Sequence, residues 1–170
     1  MNNIRLINNF LTDGHIVVKN LDSSELYAAV GLFNCSRDMY FATGIKDTVT
    51  YRDVLDFYKR LAGSNEDFIL GICLLQADCC PFNPAGKLVG IVSGKLSEDL
   101  LWIRMMAILP EYRGSGLGSR AAGLIFEYIA SIYKAREAFL SVLGANTGGL
   151  QFWVRQGFVE TARIRKALFN

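Results

Sequence analysis

The stretch Ala107-Ile-Leu-Pro-Glu-Tyr-Arg-Gly-Ser-Gly-Leu-Gly-Ser119 decides how this chain is read. An apolar strand runs into a turn, and the turn runs into glycines at 114, 116 and 118. A long amphipathic segment follows at once. Its apolar positions Leu124, Ile125, Tyr128, Ile129, Ile132 and Tyr133 recur at helical spacing. The arrangement points several backbone N–H groups, clear of side chains, at the entrance of a helix. The first N–H groups of a helix lack intrahelical partners, and the helix dipole is positive there. Such an entrance attracts a phosphate.

Working outward, the chain changes period on both sides of this segment. Strands are expected over Asp67–Gln76, Lys87–Leu96 and Leu100–Leu109, joined by Ala77–Gly86 and by the tight turn Ser97-Glu-Asp99. Short connections between them imply an antiparallel meander. Upstream, Ile4–Phe10 and His15–Lys19 flank a Thr12-Asp-Gly14 turn and read as a hairpin. A helix is expected over Ser24–Asn34, capped by Asp22 or Ser23, and a second begins at a Thr50/Asp53 capping box and stops at Gly63. Cys35–Asp47 reads as a loop. Downstream come a strand over Ala138–Leu143, a short helix over Thr147–Gln156, and final strands in Phe158–Arg163 and Lys166–Phe169. A strand–helix–strand crossover around the glycine segment implies local parallel pairing. The fold class expected is α/β (α+β): a mixed, mostly antiparallel twisted sheet of about six or seven strands with helices on both faces.

The bulk properties narrow the function classes. The 170 residues suit one domain, 1–170, with a sizeable core. A net charge of +2 is too small to argue for a nucleic-acid or acidic-membrane partner, and neither is expected. Apolar runs of about ten residues are too short to span a bilayer. No secretory signal is visible at the start, so the chain reads as cytoplasmic. The four cysteines, Cys35, Cys73, Cys79 and Cys80, show no zinc spacing and read as reduced thiols. No metal is expected.

The glycine segment admits several readings. A P-loop needs Lys-Ser or Lys-Thr after its last glycine, whereas Gly118 is followed by Ser119-Arg120. A dinucleotide fingerprint belongs in an N-terminal βαβ unit, with an acidic residue about twenty positions on, and this segment follows a meander. A glycine turn without a ligand is the plain structural alternative.

A further reading is a family resemblance. Arg113-Gly-Ser-Gly116-Leu-Gly118 resembles the R/Q-x-x-G-x-G/A acyl-CoA motif of the GNAT N-acetyltransferase superfamily. The preceding Ile108-Leu-Pro-Glu-Tyr-Arg113 and the downstream Asn146 and Phe152-Trp-Val-Arg-Gln-Gly-Phe158 are also similar to that family. The resemblance implies acetyl-CoA as co-substrate. Its diphosphate would sit on the N–H groups of Arg113, Gly114, Ser115, Gly116, Leu117, Gly118 and Ser119. Ile108 would hold the pantetheine arm through its backbone, in a gap where two strands splay. A backbone N–H near Ile108 would polarise the thioester carbonyl. Asn146 would contact the arm, or cap the following helix.

The reaction implied is direct transfer of an acetyl (acyl) group to a primary amine in a ternary complex. The acceptor is a small-molecule amine or the amine of a peptide or protein. Glu98 and Asp99 are the candidate bases, against a reading as solvated turn charges. Relatives place a tyrosine four residues before the glycine of the Gly-Phe pair. Here that position is Trp153, which offers no useful acid. The replacement keeps open a second reading, a coenzyme A-binding module for regulation or interaction. Asp38, Tyr40 and Phe41 fall where relatives border the acceptor. A C-terminal edge strand would suit pairing in a homodimer.

Overall fold

The computed structural model describes residues 7–35, 39–43, 47–75 and 86–163. Cys79-Cys80, Asp38, the strand expected in Lys166–Phe169, and most of the Ala77–Gly86 loop lie outside these residues.

Among the described residues six strands form one sheet in the order β1 (Phe10–Thr12), β2 (Ile16–Asn20), β3 (Asp67–Leu75), β4 (Gly86–Ser97), β5 (Leu100–Ile108) and β6 (Glu137–Leu140). All neighbours are antiparallel except β5 and β6, which run parallel. The connection between that pair contains α4 (Leu117–Tyr133). The expected meander and crossover are therefore present.

The strands alternate their burial between two cores. Val17, Ile69, Ile91, Met105 and Ala107 face α1 (Leu26–Asn34) and α3 (Tyr51–Ala62). Val18, Leu70, Val92, Ile103 and Leu101 face the opposite side, with Leu117, Ala121, Ile125 and Ile129 of α4. Residues buried on alternate sides make β3 and β4 near-continuous apolar runs, as in a sheet covered on both faces.

Local signals set the helix starts. The Thr50 Oγ1 accepts from the Asp53 N–H at 3.3 Å, and the Thr50 N–H donates to Asp53 Oδ2 at 2.8 Å. At the other helix, the Asp22 N–H donates to Glu25 Oε2 at 3.0 Å, and a 3-10 turn over Ser23–Glu25 precedes α1.

Three expectations change. Of the strand expected over Ile4–Phe10, positions 4–6 lie outside the described residues; among those described, the first strand starts at Phe10, and the Asn20 side chain bonds both backbone groups of Ile7 in place of a ladder. The loop over Cys35–Asp47 contains a short helix, α2 (Met39–Thr43), anchored by the buried Met39. Residues Phe158–Arg163 form no strand: the Phe158 ring packs on Phe126 and Trp153, and Arg163 pairs locally with Glu160 at 2.8 Å.

Candidate acyl-CoA cleft

The site is built where two neighbouring strands part. β5 and β6 pair only from Leu100↔Glu137 to Ile103↔Leu140. β5 continues alone to Ile108, while the chain after Leu140 turns away toward α5 (Thr147–Arg155). The ladder to β4 shows which backbone groups this exposes. The Leu109 N–H donates to Val89 O at 2.9 Å, and Ile108 lies opposite Gly90. Antiparallel hydrogen bonding alternates, so Ala107 and Met105 bond β4, and Met106 and Ile108 turn their N–H and C=O toward the gap. The Ile108 carbonyl in fact accepts from the Arg113 side chain, at 2.9 Å from Nε.

At the end of β5, a 3-10 turn over Pro110–Tyr112 leads into the glycines. Gly114 and Gly116 have φ of +76° and +85°, left-handed values that cost other residues about 1–2 kcal/mol. Gly116 is the N-cap of α4, and its carbonyl accepts the Arg120 N–H at 3.0 Å. Leu117, Gly118 and Ser119 are thus the first-turn residues whose N–H groups have no carbonyl behind them. A Cβ built on Gly114 or Gly116 meets nothing within 4 Å, so the entrance is open.

Gap and entrance belong to one cleft of about 680 Å³. Of the residues expected to bind the cofactor, Ile108, Arg113, Gly114, Gly116, Gly118, Ser119 and Asn146 line it. Several carry structural duties as well, among them the Asn146 cap that the sequence offered as an alternative. The Arg113 N–H is committed to Pro110 O at 3.1 Å, so the free donors begin at Gly114. The Arg113 side chain braces the turn, with Nη2 also 3.2 Å from Met39 Sδ. Ser115 does not line the cleft: its hydroxyl donates to Tyr112 O at 2.7 Å. The Leu117 side chain is buried in the core between α4 and the sheet. Gly118 is small for a different reason than phosphate access, since a Cβ there would stand 3.2 Å from the Phe152 ring. The Ser119 hydroxyl accepts from Gln156 Nε2 at 2.9 Å, tying α4 to the end of α5. Asn146 caps α5, its Oδ1 accepting from the Gly149 N–H at 2.9 Å, while it also borders the cleft.

The structure separates Glu98 and Asp99 from this site. They form the β4–β5 turn at the opposite end of β5, where β5 and β6 are still paired. Glu98 sits at φ +53° beside a small recess with Glu66 and Tyr133, and the Asp99 carbonyl accepts the Arg136 N–H at 2.9 Å. Neither lines the cleft. His15 is exposed on the far hairpin. Phe41 of α2 does reach the cleft wall.

Sequence reasoning passed over Arg104, Tyr112 and Arg155, all of which line the cleft. Arg104 had a signal: it is the one charge in the apolar run Leu100–Ile108. Tyr112 accepts from Lys87 Nζ at 2.9 Å, which raises the Lys87 ammonium above its ordinary range. Trp153 also faces the cleft, edge-on to Phe152 and Phe158 at centroid distances of 4.8 and 5.3 Å.

No thiol in the described core is set up for attack. Cys73 is fully buried, and its pKa is pushed up to about 12 by burial first and by the Glu25 carboxylate beside it. A protonated, inaccessible thiol is a poor nucleophile.

The entrance and gap fit a long thiol ester headed by a diphosphate, and comparison with known proteins agrees. The chain is similar to the spermine/spermidine N(1)-acetyltransferase of Bacillus subtilis, 26% identical over 101 residues. That alignment covers 51% of this chain and 66% of the relative, so the chain spans just under two thirds of the curated protein it matches. In fold it is similar to spermidine N-acetyltransferase from Vibrio cholerae, crystallised with CoA and spermine. There the TM-score is 0.74, the identity 16%, and the coverage 92% of this chain and 88% of that one. A GNAT-family acetyltransferase from Bacillus anthracis superposes with a TM-score of 0.74 at 17% identity, covering 94% and 89% of the two chains. No described helix is long and apolar enough to cross a membrane. The family model described as Acetyltransferase (GNAT) family matches residues 38–158, from α2 through the glycine entrance to the end of α5, and the chain belongs to that family.

Proposed function

We propose that the protein transfers an acetyl group from acetyl-CoA to a primary amine of a small molecule, by direct attack in a ternary complex. The observation that carries this reading is the parting of β5 from β6 just past Ile103↔Leu140, in one cleft with an open, left-handed glycine entrance to α4. The names of the similar proteins support an amine acceptor.

Bound acetyl-CoA supplies an activated thioester. The N–H groups from Gly114 to Ser119, with the positive end of α4, hold the diphosphate. Met106, through its outward N–H and C=O, and Ile108, through its outward N–H, hold the arm as a strand would. One of these N–H groups polarises the acetyl carbonyl and stabilises charge that develops on its oxygen. The amine attacks in its neutral form, and its proton leaves through solvent at the cleft mouth. Among the described residues no carboxylate lines the cleft. Trp153 excludes water beside the thiol and donates no proton to it. A coenzyme A thiolate is a good enough leaving group to depart without an acid, so orientation carries most of the rate.

The Trp153 substitution favours one rival, a module that binds coenzyme A without turnover. Two measurements separate them. Calorimetry with acetyl-CoA tests the cleft, and thiol release with mass detection of the acetylated product over an amine panel tests transfer. The enzyme reading expects both. Binding with no product from any amine supports the module. Stabilisation by NAD or ATP, but not by acetyl-CoA, contradicts both.

A further inference from the structure

The charges of the cleft do not all suit the same ligand group. Arg113 and Arg155 stand near the glycine entrance and the end of α5. Arg104 stands at the other end of the gap. It is the extra residue of a bulge, since Ser93 lies opposite Met105 and Gly94 opposite Ile103. It is also the first residue past the point where β6 stops pairing. Ile108 lies four positions further on, about 13 Å along a strand. Coenzyme A phosphates held at the glycine entrance therefore do not account for its charge.

The bulge turns Arg104 onto the face that carries α1 and α3. Trp102 lies there, with the Arg104 guanidinium carbon 4.7 Å from its ring centroid. Phe139, paired with Trp102 in register, stacks on it at 5.5 Å and 11°. Asp67 of β3 stands against the guanidinium, with Oδ1 2.5 Å from Nη1. That contact is an ion pair without hydrogen-bond alignment, and Asp67 Oδ1 has no other described partner. Trp102 and Asp67 fix the position of the guanidinium, one side occupied and one nitrogen engaged. Its side chain stays 32% exposed, and Arg104 is among the residues that line the cleft.

An Arg held in place at the end of the gap away from the glycine entrance, with unused donors, matches a carboxylate in geometry and charge. It repels a polycation. One guanidinium partly neutralised by Asp67 suits a monoanion better than a phosphate dianion. We infer that Arg104 binds a carboxylate of the acceptor, so that the substrate is an amine that also carries a carboxylate. This inference rests on the acetyl-transfer reading.

The test compares kcat/KM for matched acceptors. L-amino acids are set against their amides, ω-amino acids from glycine to 6-aminohexanoate against alkylamines of equal length, and spermine stands as the polycation. At least one acid is expected to exceed its uncharged counterpart by about 10- to 100-fold, the range for a hydrogen-bonded charge. Arg104→Gln should collapse that ratio to within about threefold, mostly through KM, and Arg104→Lys should keep part of it. The wild-type ratio needs no variant, so misfolding of a variant leaves the test intact. The inference is overturned if uncharged amines are acetylated and no carboxylate-bearing amine is, if spermine or the amides outpace every acid, or if the ratio survives in Arg104→Gln. Failure of the acetyl-transfer reading itself looks different: acetyl-CoA does not bind in calorimetry, or no amine of the panel, acid or not, is acetylated.

Discussion

Gly116 shows how one residue links backbone geometry to ligand chemistry. Its φ of +85° lets the turn end and α4 begin within one residue, and the space in front of it is open. Gly116→Glu places a carboxylate in that space and a Cβ in a left-handed conformation. The backbone strain costs about 1–2 kcal/mol, a fall of several degrees in Tm for a chain of this size. The charge should weaken acetyl-CoA binding at least about tenfold, because a like charge facing a diphosphate costs several kcal/mol. Calorimetry and a melting curve check both effects, and wild-type affinity would show that the entrance is not where the diphosphate sits. The glycine pattern was legible because few other residues tolerate that conformation. The separate role of Gly118 was not legible, since its neighbour Phe152 lies 34 positions away in the chain.

At the scale of elements, Arg113 joins the end of β5 to α2. Its Nε–H holds the Ile108 carbonyl and its Nη2 meets Met39, so the turn, the strand end and the short helix move together. Arg113→Ala is expected to cost about 1 kcal/mol, modest because the side chain is exposed. It should also lower acetyl-CoA affinity by loosening the entrance. Arg113→Lys should not restore it, since an ammonium lacks the fork that reaches both partners. Identical affinity in all three proteins would make the brace irrelevant to the site. Most elements were readable from period and caps: Thr50 with Asp53 marked α3, and the apolar stripe from Leu124 marked α4. The exceptions have local causes. Met39–Thr43 is a single turn held by tertiary contacts and carries no capping signal. Phe158–Arg163 has the apolar start of a strand, but its Phe158 N–H and ring are both taken by Trp153, at 3.1 Å and 5.3 Å. Glu98 and Asp99 were attractive as carboxylates at the turn into β5, yet strand length carries them away from the gap. Distance along β5 could be counted from sequence, but the point where β6 stops pairing could not.

Over the whole molecule, the sheet separates two cores, and α4 is tied to the β1–β2 hairpin by charge. Arg120 Nη1 stands 2.7 Å from Asp13 Oδ2. Partial burial pushes the Asp13 carboxyl up, but the Arg120 hydrogen bond and the N–H groups of His15 and Ile16 outweigh it and hold the pKa at about 2, against an ordinary 3.8. The folded value lies below the unfolded one, so the contribution is present above about pH 4 and is lost as pH falls toward 2. The stability gap between wild type and Asp13→Asn should shrink across that window. A gap that stays constant would mean that the pair contributes through packing alone. The central claim is larger: the break between β5 and β6 receives the arm of acetyl-CoA as a substitute strand. Amide hydrogen exchange at single residues of β5, with and without saturating acetyl-CoA, tests it most directly. Met106 and Ile108, whose N–H groups face the gap, should slow at least about tenfold more than Met105 and Ala107, which already bond β4. Equal slowing of all four, or none, would contradict the account.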